Sequence, residues 1–396
     1  KVKFREWYRP FAPVCRVQDM NVYFDNAATT PMDKTVLEKM LPYLENGFGN
    51  PSSIHKKGRE IKSVIEKCRS KIASLLSCEP GEIFFTSGGT EADNMFILNT
   101  AIEKKLDTII TSKLEHHAVL HCCEYLERSY KKNIKFVDSD DKGVIDLDHL
   151  ESLMKSSPNS LVTIMHGNNE IGNLNDIKKI SRICEQYETI FHSDTVQTVG
   201  HYNLNLNDLN IHGIVGSAHK FHGPKGVGFL YLNNKHKISP FIHGGAQERN
   251  MRGGTENVYG IVGLAEALEL SITNMADHAK KVSNLKKYML EKLTHAVDGI
   301  KFNGQSSDLN NSLYTVLNVS IPNMNDQQMF LFNLDINNIA ASAGSACTSG
   351  SEVGSHVLAQ IKKNKGHVSV RFSFSKMNSK EEVDYTVDKV CEILKI

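Results

Sequence analysis

Between Glu82 and Gly228 the chain alternates β-favouring runs with segments of helical spacing, and run after run ends in a polar or glycine-rich cluster. Glu82–Ser87 (EIFFTS) leads into Gly88-Gly89-Thr90-Glu91, ahead of a helix from about Ala92 to Lys104. Asp107–Thr111 ends near Glu115-His116-His117, and Ser160–Met165 delivers His166-Gly167-Asn168-Asn169-Glu170. Glu188–His192 ends in Asp194, and Ile211–Gly216 ends in Ser217-Ala218-His219-Lys220. Strands alternating with helices predict a largely parallel, doubly wound α/β sheet. Right-handed crossovers put the carboxyl ends of its strands on one edge. That edge is where such sheets bind ligands.

An acid at one tip and a lysine at the next suggest a specific chemistry. Lysine condenses with an aldehyde, and a carboxylate keeps a pyridine nitrogen protonated so that the ring accepts electrons. These are the two partners that pyridoxal phosphate (PLP) asks of its protein. Taken singly, Lys220 and Asp194 are equally an ordinary surface cation and a turn residue. The Gly88–Glu91 turn offers free N–H groups, a helix dipole and the Thr90 hydroxyl, an anion site that suits a phosphate. It is neither a GxGxxG nor a Walker A loop, and a plain helix cap would look the same. His116, just past a strand tip, is placed either to stack on a flat cofactor or to serve the fold.

The rest of the chain divides by texture. Asn21–Phe24 reads as a short strand, followed by the small, hydroxyl-rich loop Asp25–Pro31, where backbone can approach a ligand closely. Met32–Leu44 and Lys57–Leu76 have helical spacing, and Asp176 is placed to cap a helix over Ile177–Tyr187. Beyond a long helical region near Asn274–Val297, short strands at Thr315–Ser320 and His367–Ser373 alternate with helices, an α+β pattern. Within it, Ile339–Ser351 (IAASAGSACTSGS) is nearly all small residues around one thiol, Cys347. Such a loop cannot pack a core. Cys347 reads as a nucleophile on a swinging arm, as a small residue under a turn, or as an oxidation sensor.

Composition narrows the function. A formal charge of +1 on 396 residues supplies no field to attract nucleic acid or an anionic membrane. No apolar run reaches the ~18 residues of a spanning helix. The eight cysteines form no CxxC pair, which disfavours a protein-only zinc site and a disulfide framework and points to a reducing compartment. The first twenty residues are basic and aromatic, fit neither a secretory signal nor a transit peptide, and receive no function.

Ten stretches together resemble one family: FDNAATTP, FGNPSSIH, TSGGTEADN, EHHAVL, NNEIG, HSDTVQ, SAHKFHGPKG, MRGGTEN, GSACTSGS and VRFSFSK. The chain resembles, from about Val22 to Leu394, the NifS/IscS-type cysteine desulfurases of the class V aminotransferase group. That resemblance implies a fold-type I PLP-dependent transferase. Its large domain, 35–270, would hold a mostly parallel seven-stranded sheet flanked by helices. A smaller α+β domain, 21–34 and 271–396, would carry the catalytic loop.

The same resemblance implies residue roles. Lys220 holds the PLP aldehyde as a Schiff base and later takes the substrate's α-proton. Asp194 pairs with the pyridinium nitrogen, His116 stacks on the ring and aids proton transfer, and Gln197 bonds the phenolic oxygen. Asn169 lies beside cofactor and substrate, and Gly89, Thr90, Ser217 and His219 hold the phosphate. Thr255 completes the phosphate site of the partner subunit in a homodimer. Arg371 binds the substrate α-carboxylate. Cys347 becomes the persulfide after L-cysteine yields L-alanine. The sulfur then goes to an acceptor or scaffold protein for iron–sulfur cluster assembly, tRNA thiolation or both. No resident metal is implied, and Cys347 is a candidate transient iron–sulfur ligand.

After Cys347 the sequence TSGSEVGS departs from the commoner TSASLEPS pattern, which leaves the acceptor open. Two other readings remain at this stage: a selenocysteine lyase or other PLP-dependent C–S lyase, and an idle interaction protein on the same fold. The expected location is cytoplasmic, or an organellar matrix after processing.

Overall fold

The structure, a computed structural model, describes residues 20–322, 324, 326–344, 354–361, 364 and 366–396. Cys347 and the amino-terminal stretch 1–19 fall outside the described residues. A short strand β1 (Val22–Tyr23) precedes helices α1 (Lys34–Glu45) and α2 (Lys56–Leu76). The alternating part follows: β2 (Ile83–Thr86), α3 (Gly89–Glu103), β3 (Thr108–Ser112), α4 (His117–Tyr130), β4 (Asn133–Val137), α5 (Leu147–Lys155) and β5 (Ser160–Thr163). It continues with α6 (Ile177–Gln186), β6 (Ile190–Asp194), β7 (Gly213–Ser217) and β8 (Gly228–Leu232).

Seven strands form one sheet in the order β2-β8-β7-β6-β5-β3-β4. All neighbours are parallel except β8, which runs antiparallel to both β2 and β7. The expected mostly parallel, seven-stranded sheet flanked by helices is therefore present. Its strands read as apolar runs because both faces are covered, and β2, β3, β5, β7 and β8 are buried along their whole length. Close packing demands glycine at one place in particular: a Cβ on Gly216 would fall 2.3 Å from the Phe229 ring. Register puts Asp194 beside Val215 on the parallel neighbour, so the ends of β6 and β7 lie side by side.

Beyond the sheet come α7 (Val258–Thr273), α8 (Met275–Ala296), β9 (Lys301–Phe302), β10 (Val316–Pro322), α9 (Gln327–Ile336) and β11 (Ile339–Ala340). Short α10 (His356–Gln360), β12 (His367–Ser373) and α11 (Lys380–Leu394) finish the chain. The strand order β12-β10-β9 makes an antiparallel sheet, and α8, α9 and α11 pack on it around a second apolar core. The amino-terminal strand β1 pairs in parallel with β11, and Ser373 N–H reaches back to the Phe24 carbonyl at 2.7 Å. Residues 22–27 are thus stitched to the carboxyl-terminal part of the chain, and residues 27–31 already bond the turn around Lys220 on the large sheet.

Local chemistry set the element ends well in several places. Asp176 accepts from Lys179 N–H as the cap of α6, and the Ser379–Glu382 capping box starts α11. Helix α3 begins at Gly89, three residues before the expected Ala92, because the glycine pair is taken into its first turn. The small strands β9 and β11, two residues each, carry no pattern that local reasoning could find.

Candidate active site

The polar edge of the large sheet closes round a cavity of about 200 Å3. Ten of the residues expected at the site line it: Gly89, Thr90, His116, Asn169, Asp194 and Gln197, together with Ser217, His219, Lys220 and Arg371. They come from the tips of β2, β3, β5, β6 and β7 and from β12. Thr255 does not line it; it lies in a separate pocket with Ser87 and Arg252.

Lys220 ends the 3-10 turn Ala218–Lys220 that follows β7. Its Nζ donates to the carbonyls of Ala27 (2.6 Å) and Ala28 (2.8 Å). The loop over Asp25–Pro31 therefore wraps the lysine turn. Thr30 Oγ1 donates to the His219 carbonyl (2.9 Å), and His219 Nδ1 meets Thr29 Oγ1 at 3.1 Å. Gln197 Nε2 donates to the same Ala27 carbonyl at 3.0 Å. The loop of small residues permits this close backbone approach.

Asp194 is buried at the end of β6, and one carboxylate oxygen accepts from Val196 N–H at 2.9 Å. Burial raises its pKa, opposed by that N–H and by the Lys220 charge. Two further acids were not foreseen. Asp93 of α3, 1% exposed, also lines the cavity; its Oδ1 has no hydrogen-bond partner and lies 3.5 Å from His192 Nε2. Glu115 accepts from Met165 N–H at 2.7 Å, while its second oxygen is buried without a partner. Burial, reinforced by Asp194, pushes both well above the usual carboxylate range.

His116 caps α4, its Nδ1 accepting from Ala118 N–H at 3.2 Å. That bond leaves the ring proton on Nε2. Burial, and then the Lys220 charge, lowers its pKa to about 4, so it is neutral at pH 7. Helix α3, which carries Asp93, begins at Gly89 after Gly88 without a side-chain cap. A Cβ on Gly89 would lie 2.6 Å from Val196 Cγ2, so the bare backbone is needed there.

Arg371 is 1% exposed, yet it reaches the cavity. Nη1 donates to the Asn169 carbonyl (2.9 Å) and Nη2 to Asp25 Oδ1 (2.7 Å), and Nε–H has no acceptor.

This donor set fits PLP. The buried carboxylate of Asp194 suits a cationic ring nitrogen, and the uncapped helix start with Thr90, Ser217 and His219 suits a phosphate. Lys220 lines the same cavity, its amine donating to the Ala27 and Ala28 carbonyls of the wall. An acid, an amine and an anion cradle at the strand tips of a doubly wound sheet define the PLP-dependent transferases as a class.

The comparisons narrow the class. The aminotransferase class-V family model matches residues 22–386. Cysteine desulfurase IscS of Dictyoglomus turgidum is 42% identical over 377 residues, covering 94% of each chain. A solved structure titled "NIFS-LIKE PROTEIN" superposes with a TM-score of 0.87 at 38% identity, over 95% of this chain and 100% of that one. The structure "SspA in complex with cysteine" matches with a TM-score of 0.77 at 31% identity, over 90% of this chain and 100% of the other. The chain belongs to the class-V aminotransferases and, within them, to the cysteine desulfurases, a PLP-dependent group.

Proposed function

We propose that this chain takes sulfur from L-cysteine, releasing L-alanine and leaving a persulfide on Cys347. The observation that carries the reading is the convergence of Lys220, Asp194, His116 and Arg371 on one cavity. PLP, when bound, supplies an aldehyde for an amine and a ring that accepts electrons. Lys220 would hold the aldehyde, Asp194 the ring nitrogen, His116 the ring face and Gln197 the phenolic oxygen. Gly89, Thr90, Ser217 and His219 would hold the phosphate, with Asn169 beside the ring.

The protein's own groups do the rest. Arg371 receives the α-carboxylate of L-cysteine on the Nη protons that Asn169 and Asp25 leave over. Lys220, once its amine is free, takes the α-proton. Neutral His116 has an Nε2–H to give and no charge to repel the Lys220 ammonium. The Cys347 thiolate attacks the substrate sulfur. One S–S bond forms, one C–S bond breaks, and alanine leaves after its β-carbon gains a proton. The balance is L-cysteine plus thiol to L-alanine plus persulfide, with no outside oxidant.

Two apolar cores, one round the large sheet and one round β12-β10-β9, support a large unit over 35–270 and a small one from 21–34 and 271–396. A homodimer is supported by exposed apolar groups on one side. Leu37, Leu41 and Leu44 follow one face of α1, Phe48 is 80% exposed and Ile54 is 91% exposed. Gln247 Nε2 meets Ser52 Oγ at 3.5 Å and its Oε1 accepts from Gly254 N–H at 3.1 Å, so the stretch with Phe48 and Ile54 runs close to the Thr255 loop. Thr255 would there complete the partner's phosphate site. No helix among the described residues is long and apolar enough to cross a membrane. Persulfide chemistry needs reduced thiols, which favours the cytoplasm. Delivery to a cluster scaffold or a tRNA-thiolating acceptor completes the reading.

The test is incubation with L-cysteine of wild type and Cys347→Ala. Sulfur transfer should vanish in the variant while the cofactor absorbance stays. A variant that still transfers sulfur, or that prefers selenocysteine without needing the thiol, would replace this reading with a lyase.

A further inference from the structure

Asp93 lies four residues after Gly89, so helical spacing puts both on one side of α3, and both line the cavity. On β6, His192 and Asp194 are two residues apart, so their side chains leave the same face of the sheet. Helix α3 covers that face: its Phe96 ring stacks on the His192 ring at 4.8 Å. Asp93 is 1% exposed, and its Oδ1 has no hydrogen-bond partner. His192 Nε2, 3.5 Å away, is equally buried and equally without one. The other ring nitrogen, His192 Nδ1, meets Thr163 Oγ1 on β5 at 3.0 Å. Two orphaned atoms thus face each other at the cavity, about half an ångström beyond a normal bond.

The two aspartates are not equivalent. Asp194 has the Val196 N–H at 2.9 Å and the Lys220 charge in its favour. Asp93 has no such donor, and burial, then the charges of Asp194 and Glu115, oppose its ionisation. Two carboxylates in one dry site do not both ionise, so Asp194 carries the charge and Asp93 keeps its proton. A protonated Asp93 has an O–H to give to Nε2, and His192, kept neutral by burial, has an Nδ1–H for Thr163 Oγ1. Of the remaining titratable neighbours, Glu115 follows β3 and Cys122 lies on α4; burial holds both neutral, so they add no charge. Lys220, His116 and Arg371 stand in the cavity wall.

We propose that Asp93 is a positioning residue for PLP: with His192 it forms a polar wall beside Asp194, and through Asp194 it sets how firmly the ring nitrogen is held. This rests on the reading of the cavity as a PLP site. A neutral polar neighbour partly replaces the water that burial takes from the Asp194 carboxylate. An apolar side chain of similar size would remove that support and make Asp194 harder to ionise. Asp194 holds a cationic ring nitrogen only when ionised, so the effect falls on the acid side of PLP binding.

The experiment uses the full-length protein freed of cofactor: wild type, Asp93→Asn and Asp93→Leu. PLP affinity is read from the absorbance of the bound cofactor across a range of pH, with melting curves confirming folding at each pH. Asp93→Leu should weaken binding about tenfold and move the acid limb of the affinity profile up by about one pH unit. A merely structural role would lower the melting temperature and leave that limb in place. Asp93→Asn, neutral and of the same shape, should keep the affinity within about threefold and the limb where it is. The infrared difference between wild type and Asp93→Asn should contain the carbonyl stretch of a protonated carboxyl. An unmoved acid limb in Asp93→Leu would overturn the proposal. So would a limb that moves down in Asp93→Asn, the result of removing a second anion beside Asp194. If Asp93→Leu does not fold, absence of the infrared band overturns it by itself. A wild type that takes up no PLP would instead overturn the reading of the cavity on which the proposal rests.

Discussion

Replacing Arg371 with lysine separates substrate recognition from charge. A guanidinium has five N–H donors. The Asn169 carbonyl and Asp25 take one each, and Nε–H is buried without an acceptor, so two Nη protons remain for a ligand. Two charge-assisted bonds to the α-carboxylate, less the charge already neutralised by Asp25, amount to about 3 kcal/mol, or roughly 150-fold in kcat/KM. Lysine keeps the positive charge beside Asp25 but cannot span two carboxylate oxygens and the Asn169 carbonyl together. The assay is steady-state alanine formation from L-cysteine, with a melting curve to confirm folding. Cysteamine, which lacks the carboxylate, supplies the control: wild type and Arg371→Lys should process it equally poorly. A folded Arg371→Lys protein with kcat/KM for L-cysteine within threefold of wild type would refute the carboxylate assignment.

Other outcomes follow from the same geometry. Asp194→Asn should lower kcat at least about 100-fold, while borohydride still fixes the cofactor to Lys220, because the change removes the partner of the ring nitrogen and leaves the amine. Glu248→Ala should cost about 2–3 kcal/mol in urea unfolding, since it removes two 2.8 Å bonds from the Arg69 guanidinium, 2% exposed, and leaves it only Glu66 at 3.2 Å and the Ile83 carbonyl at 2.8 Å. The cofactor-free protein should lose stability as pH falls from about 6.5 to about 4. His116, His166, His219, His222 and His236 are held near 4 and His192 near 3, chiefly by burial. In that window the unfolded chain binds more protons at these six histidines, so unfolding becomes easier on acidification. Asp93, Glu115 and Asp194, with raised values, act in the opposite sense but are fewer. A urea midpoint that rises on acidification would contradict this ledger.

Much of the site was legible because its residues sit where strands stop. Asp194, Lys220 and the Gly88-Gly89-Thr90 turn follow apolar runs, and a parallel sheet sends such ends to one edge. What stayed hidden depends on distant chain. Asp25 and Arg371 are 346 residues apart, and no local pattern announces their pairing. Asp93 looks like any polar residue in a helix; only the packing of α3 over β6 turns it into the cavity. The direction of β8 was equally out of reach, because a buried antiparallel strand and a buried parallel one share the same apolar run. Glu170 belonged to a recognised motif, but its contact with Ser355 spans 185 residues. The role of Cys347 came from sequence alone, and that residue lies outside those described.

The central claim is that L-cysteine gives its sulfur to Cys347 in this protein. The most direct measurement is mass spectrometry of the PLP-loaded protein after brief exposure to L-cysteine, with alanine measured in the same sample. The account predicts one sulfur atom added to the peptide containing Cys347 for each alanine released in the first turnover. Pyruvate and free sulfide with an unmodified Cys347 would contradict it.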